Sequence, residues 1–148
     1  MHTRHHFYWR ILKVRMFEFV KRYLLGKDIT PELSLKKLSQ VEEFYEAKFN
    51  NVRFRLGGLL PKIIPWNYAA IVFRYTINYR AGWGWLLNDD LTLAEELWHV
   101  MQWRRYGSIK LPIKYIIELR KNTYAGNCYE IEAKQMARDF LIWSKRND

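Results

Sequence analysis

The sequence predicts an α+β fold in which helices dominate. Three observations carry this: apolar residues recur at helical spacing in most of the chain, one stretch from Ala70 to Arg80 alternates with period two, and Gly, Pro and Asn separate the segments. The resulting order is helix, helix, strand region, helix, helix, helix. With 148 residues, 49% hydrophobic and 27% charged, the chain suits one globular unit and is too apolar for intrinsic disorder.

The first element runs from Trp9 to Leu25. Leu12, Met16, Phe19 and Tyr23 share one helical face, and Arg10, Arg15, Glu18, Lys21 and Arg22 lie largely opposite. Charges interrupt this segment every few residues, so it has neither the apolar core of a signal peptide nor the length of a membrane span. It reads as a basic amphipathic helix that docks on its own domain, on a protein partner or on a membrane surface. Gly26 is placed to cap it. Thr30-Pro31-Glu32 then combines an N-cap hydroxyl, a proline at the first helical position and an early acid, which starts a second helix expected to reach Phe49. Its apolar stripe is Leu38, Val41, Tyr45 and Phe49.

From Val52 to Trp66 the pattern changes to short extended pieces broken by Gly57-Gly58, Pro61 and Pro65. Ala70 to Arg80 reads as one half-buried strand, with Ile71, Phe73, Tyr75 and Ile77 on one side. Gly82-Trp83-Gly84 turns the chain. Asn88, Asp89 and Asp90 offer caps for a third helix that runs to Tyr106, with Gly107 just past its end. Pro112 is expected to open a fourth helix through about Lys121, and Gly126-Asn127 to cap a last one from Cys128 to about Arg146.

Lys and Arg number 25 against 15 Asp and Glu, a net charge of +10 spread as +4, +3 and +3 over residues 1–50, 51–106 and 107–148. There is no basic tail. Aromatic residues interleaved with arginine, as in Phe73-Arg74 and Trp103-Arg104-Arg105, could contact nucleic acid through a basic surface, or form a core with arginine stems packed over it. The lone Cys128 excludes an internal disulfide and a thiolate metal cluster, which fits a reducing compartment.

Histidine is more restrictive still. Three of the four lie in the first six residues, so His99 is the single histidine of the body. It sits on the third helix in Glu95-Glu96-Leu97-Trp98-His99, with Glu95 one turn before it on the same face. That is the spacing of the zinc motif H-E-x-x-H with glutamate in place of the first histidine. Plainer roles exist for each residue. Thr92-Leu93-Ala94-Glu95 has the form of a capping box, and His99 could be a hydrogen-bonded interior histidine. On the last helix Glu130 falls on the stripe of Ala133, Ala137 and Phe140, where a buried carboxylate needs a partner. It could equally cap through Asn127 or pair with Lys134.

Around this motif the chain resembles the zincin-like metallopeptidases, in particular short bacterial and phage-type members. The matching residues are Glu95-Glu96-Leu97-Trp98-His99-Val100-Met101-Gln102, the pair Tyr106-Gly107, Pro112 to Tyr115, and Tyr124, Asn127, Glu130, Glu132 and Ala133. The resemblance covers about residues 66–135. It implies a minimal zincin-like domain over 51–148, with a small sheet whose edge strand flanks the motif helix, and residues 1–50 as a helical extension. It implies Glu95, His99 and Glu130 as metal ligands, Glu96 as the catalytic proton acceptor and Zn²⁺ as the expected ion; helical spacing puts Glu132 instead toward Met136, Asp139 and Trp143, behind the ligands or on the surface.

The exchange of histidine for Glu95 departs from that pattern. Two carboxylates and one imidazole form a harder, more neutralising set, which suits Mn²⁺, Mg²⁺ or Fe²⁺ as well as Zn²⁺. A neutralised ion lowers the pKa of bound water less, so the expectation is a weak, atypical or catalytically inactive relative in which the metal can be absent. The alternative is a phage virion or assembly protein that uses the scaffold without catalysis, engaging a protein through its N-terminal helix. Either reading places the chain in the cytoplasm or a virion.

Overall fold

The computed structural model describes residues 24, 26–29, 35–63 and 68–147. The expected amphipathic helix over 9–25 and the helix start at Thr30-Pro31 lie outside them, Leu24 apart. The described chain is α+β with helices dominant. Four short strands form one mixed sheet: β1 (Lys27–Ile29), β2 (Arg53–Leu56), β3 (Ala70–Phe73) and β4 (Thr76–Tyr79), in the order β1-β2-β4-β3. The β1–β2 and β3–β4 pairs are antiparallel and β2–β4 is parallel.

The first strand has no apolar alternation and is specified by a cross-strand ion pair. Asp28 stands opposite buried Arg55, whose Nε donates to its carboxylate at 2.8 Å. Gly26, just before β1, takes φ 82°, and a Cβ there would come within 2.7 Å of the Gly57 carbonyl oxygen.

Helix α1 (Leu35–Phe44) stops five residues short of the expected Phe49. Glu46 adopts φ 50°, and the Glu42 carboxylate wraps the turn by accepting from the Phe49 backbone N–H at 2.8 Å and from Lys48 Nζ at 2.8 Å. Tyr45 and Phe49 nevertheless reach the core with Val41. After the short helix α2 (Leu60–Ile63), the single strand expected over Ala70 to Arg80 is a hairpin. Phe73 pairs with Thr76, and Arg74 makes the reversal at φ 55°. Neither Arg74 nor Tyr75 belongs to the Gly/Asn set that announces such turns, so the alternation conceals the bend.

A 3₁₀ turn (Gly84–Asn88) leads into the long helical stretch α3 (Asp90–Asn122). Asp89 caps it, accepting from the Thr92 backbone N–H at 2.8 Å and the Thr92 hydroxyl at 2.6 Å. The stretch is broken at Gly107, whose φ 78°, ψ 172° is not helical. The expected break is therefore present, but the helix resumes at once instead of waiting for Pro112. That proline falls early in the second segment, five residues after the break, where its missing N–H costs one helical hydrogen bond. Helix α4 (Cys128–Asn147) is capped by Asn127, whose Oδ1 accepts from the Tyr129 N–H at 3.0 Å.

The core lies where α3 and α4 pack together and against β4 and α1. Ile77 and Tyr79 meet Leu93, Ala94, Leu97 and Val100 of α3 and Ala133, Ala137 and Phe140 of α4. Tyr45 fixes α1 to α3 by donating to the buried Ala94 carbonyl at 3.0 Å, and its ring meets Trp98 edge-on at 5.1 Å. Residues before and after 50 thus share one sheet and one core. The edge strand β3 runs beside the first half of α3, where Trp103 Nε1 donates to the Val72 carbonyl at 3.2 Å. Arginines cover rings as the sequence pattern allows: Arg104 lies 5.1 Å from the Phe49 centroid and Arg105 5.7 Å from that of Trp98. The outward side of the second α3 segment carries exposed Ile109, Ile113, Ile116 and Ile117. Among the described residues, no helix is long and apolar enough to cross a membrane.

Candidate metal centre

Glu95, Glu96 and His99 come from the first half of α3, Tyr115 from its second segment, and Glu130 and Glu132 from the first turns of α4. The break at Gly107 therefore divides the helical residues that surround Glu130 between two segments of α3.

The N-cap of α3 is Asp89, which places Thr92 inside the helix, so Thr92 and Glu95 do not form a capping box. Asn127 caps α4 without help from Glu130, because its own N–H donates to the Tyr124 carbonyl. Glu130 instead points into the interior, 4% exposed. Its Oε1 accepts from the Tyr115 hydroxyl at 2.8 Å and stands 3.7 Å from His99 Nε2, and its Oε2 is buried with no hydrogen-bond partner. Lys134 does not close an ion pair on it; its ammonium lies over the Tyr124 ring at 5.3 Å.

Glu95, His99 and Glu130 converge. Each offers one ligand atom, and all three atoms lie within 4.8 Å of one another. Bonds of about 2.1 Å to a tetrahedral ion separate ligand atoms by roughly 3.4 Å, so the 3.7 Å pair fits, and the remaining atoms, no more than 4.8 Å apart, would draw together by up to about 1.4 Å around an ion. Glu96 stands outside this triad but within electrostatic reach of all three members.

The charges in this enclosure compete. Burial raises the pKa of Glu95, Glu130 adds to the rise, and His99, Lys134 and Arg138 oppose it. Glu96 is pushed up to about 7, first by burial and then by Glu95 and Glu130, against His99. Burial disfavours the charged ring of His99, but Glu130, then Glu96, the Gln102 hydrogen bond and Glu95 outweigh it and raise its pKa. Burial, then the Glu130 charge and a hydrogen bond to that carboxylate, hold the Tyr115 and Tyr124 hydroxyls well above their ordinary value. Three acids around one imidazole leave an excess of negative charge that a divalent cation would neutralise. The orphaned Glu130 oxygen and the converging donors therefore fit a cation, and one nitrogen with two carboxylates sets no strong preference for zinc.

Several neighbours owe their roles to tertiary contacts. Gln102 bonds His99 Nδ1 at 2.9 Å, and Glu132 accepts from Gln102 at 2.7 Å and from Arg105 at 3.3 Å. Tyr79 is wholly buried without a hydroxyl partner, and after burial itself the Glu96 and Asp89 charges are what raise its pKa. Its position on an apolar strand face gave no sign of this. No protein-family model matches the chain, and no curated protein or solved structure matches it.

Proposed function

We propose that the chain is a zincin-like, metallopeptidase-related protein whose Glu95, His99 and Glu130 hold a divalent cation in an altered site. The observation that carries this reading is the convergence of three ligand atoms, all within 4.8 Å of one another, around the buried Glu130 carboxylate. An edge strand alongside the motif helix supports the scaffold.

A bound ion would supply Lewis acidity, which polarises a carbonyl and acidifies water. The protein's part is to hold the donors and to move protons. Tyr115 orients the Glu130 carboxylate by donating to Oε1, the oxygen 3.7 Å from His99 Nε2. Glu96, beside the triad on α3, is the group placed to accept a proton. Two carboxylate ligands cancel the formal charge of a divalent ion, so hydrolysis is weak, atypical or lost.

The test is metal content and affinity, with Zn²⁺ and Mn²⁺, for wild type, Glu95→His and Glu96→Ala, together with peptidase activity. Wild type should bind zinc weakly, Glu95→His should gain zinc affinity, and Glu96→Ala should retain metal while losing any hydrolysis. A Glu95→His protein with no gain in zinc binding would refute the inherited site.

A second reading is favoured by the exposed isoleucines of the second α3 segment: an interaction or assembly component, such as a virion protein, with the scaffold used without catalysis. The basic surface leaves room for nucleic acid in that role. Its signature would be self-association or partner capture that Ile113→Glu abolishes while the triad variants leave it intact.

A further inference from the structure

Gln102 lies three residues after His99 on α3 and is 2% exposed. Its Nε2 donates to the Tyr129 carbonyl at 2.9 Å and to Glu132 Oε2 at 2.7 Å, using both amide protons on atoms that accept. Exchanging the amide oxygen and nitrogen would set oxygen against two oxygen acceptors, so the orientation is fixed by chemistry. The remaining atom, Oε1, has no proton to give. It stands 2.9 Å from His99 Nδ1, which must therefore be the donor. In a neutral imidazole a proton on Nδ1 leaves the lone pair on Nε2, the nitrogen 3.7 Å from Glu130 Oε1.

We infer that Gln102 is a positioning residue that locks His99 in the Nδ1–H tautomer and turns its Nε2 lone pair toward Glu95 and Glu130. Two contacts lock Gln102 in turn. The Tyr129 carbonyl belongs to the backbone of α4, and Glu132 is held on its other oxygen by Arg105 at 3.3 Å. Donation thus runs from the imidazole through Gln102 to Glu132, whose other oxygen accepts from Arg105. Amide, unlike carboxylate, can carry this direction, because it donates on one side and accepts on the other. The tautomer follows from these hydrogen bonds alone; its use in holding a cation rests on the metal-site reading above.

The experiment is long-range ¹H–¹⁵N correlation of the full-length protein labelled at histidine, at alkaline pH where the ring is neutral, with His99→Gln to assign the resonance. Wild type should show the Nδ1–H tautomer alone, and Gln102→Met a mixture containing the Nε2–H form. Glu132→Ala removes a half-buried acceptor without disturbing the packed core and should give a smaller shift in the same direction. In parallel, Mn²⁺ and Zn²⁺ titrations should show affinity falling about 10–100-fold in Gln102→Met. A wild-type His99 protonated on Nε2 overturns the inference, as does unchanged metal affinity in a Gln102→Met protein whose tautomer has been released. Absence of metal binding in wild type with the Nδ1–H form intact would instead sink the metal reading and leave the lock standing.

Discussion

Glu130→Gln separates the cost of this cluster from its use. In the metal-free protein, unit charges 3.7 Å apart, as for protonated His99 and Glu130, attract by about 4.5 kcal/mol at an effective dielectric of 20. Like charges on Glu95 and Glu130, whose ligand atoms lie no more than 4.8 Å apart, repel by at least about 3.5 kcal/mol on the same scale. The two nearly cancel, which leaves the burial of a charged oxygen without a partner, about 1–3 kcal/mol. The amide keeps the bond from Tyr115 and presents a donor to the remaining carboxylates. Metal-free Glu130→Gln should therefore be more stable by about 1–2 kcal/mol, a rise in Tm of roughly 2–8 °C. A divalent ion at 100 times its Kd stabilises wild type by about 2.7 kcal/mol, or roughly 5–11 °C. If loss of one ligand weakens binding about 100-fold, the same ion adds only about 0.4 kcal/mol to the variant, close to 1 °C. Thermal melts with and without Mn²⁺ or Zn²⁺ measure all four states. A variant that melts lower without metal, or that keeps the wild-type metal shift, would refute the reasoning.

Two further outcomes concern the frame around the site. Glu42, held below the usual carboxylate range first by Lys48 and then by the Phe49 N–H, contributes stability that is present above the unfolded-state pKa and lost as pH falls through the folded one. Glu42→Gln should thus cost about 0.5–1.5 kcal/mol near neutrality, and the difference should fade as the pH falls below the ordinary glutamate range and through the lowered folded-state pKa, as read from denaturant melts across acid pH. Gly107→Ala meets no atom within 4 Å of the new Cβ, so its cost is backbone strain alone, about 1–3 kcal/mol or a Tm lowered by roughly 2–12 °C. A Gly107→Ala protein that melts with wild type would contradict the need for glycine at this break.

What the sequence discloses here depends on how local the cause is. Asp89 and Asn127 were readable as caps because a cap is a contact over two or three residues. The spacing of Glu95 and His99 on one face, and the apolar stripe that buries Glu130, follow from helical periodicity alone. The β3–β4 hairpin was hidden because Arg74 takes a left-handed conformation that its residue type does not announce. The early end of α1 depends on Glu42 reaching Phe49 and Lys48, and β1 on the pairing of Asp28 with Arg55, both side-chain contacts that periodicity does not register. Gln102 and Tyr115 stood within the resembling segments, but their bonds to His99 and Glu130 appear only once the helices are packed.

The break at Gly107 has a consequence for how the centre forms. Among the described residues, the side chains hydrogen-bonded or ion-paired within the cluster all come from residues 95–132, one continuous segment that contains this break and the turn before α4. The sheet and α1 buttress this segment through the Val72 and Ala94 carbonyls and contribute no side chain to those bonds. The centre is modular: its longest contact, from His99 to Glu130, closes 31 residues, a span comparable with the 23 between the paired strands β2 and β4, and loop-closure cost grows only slowly over such lengths. Such a unit can be inherited, exchanged or grafted as one piece, while the remainder of the chain is free to diverge around it.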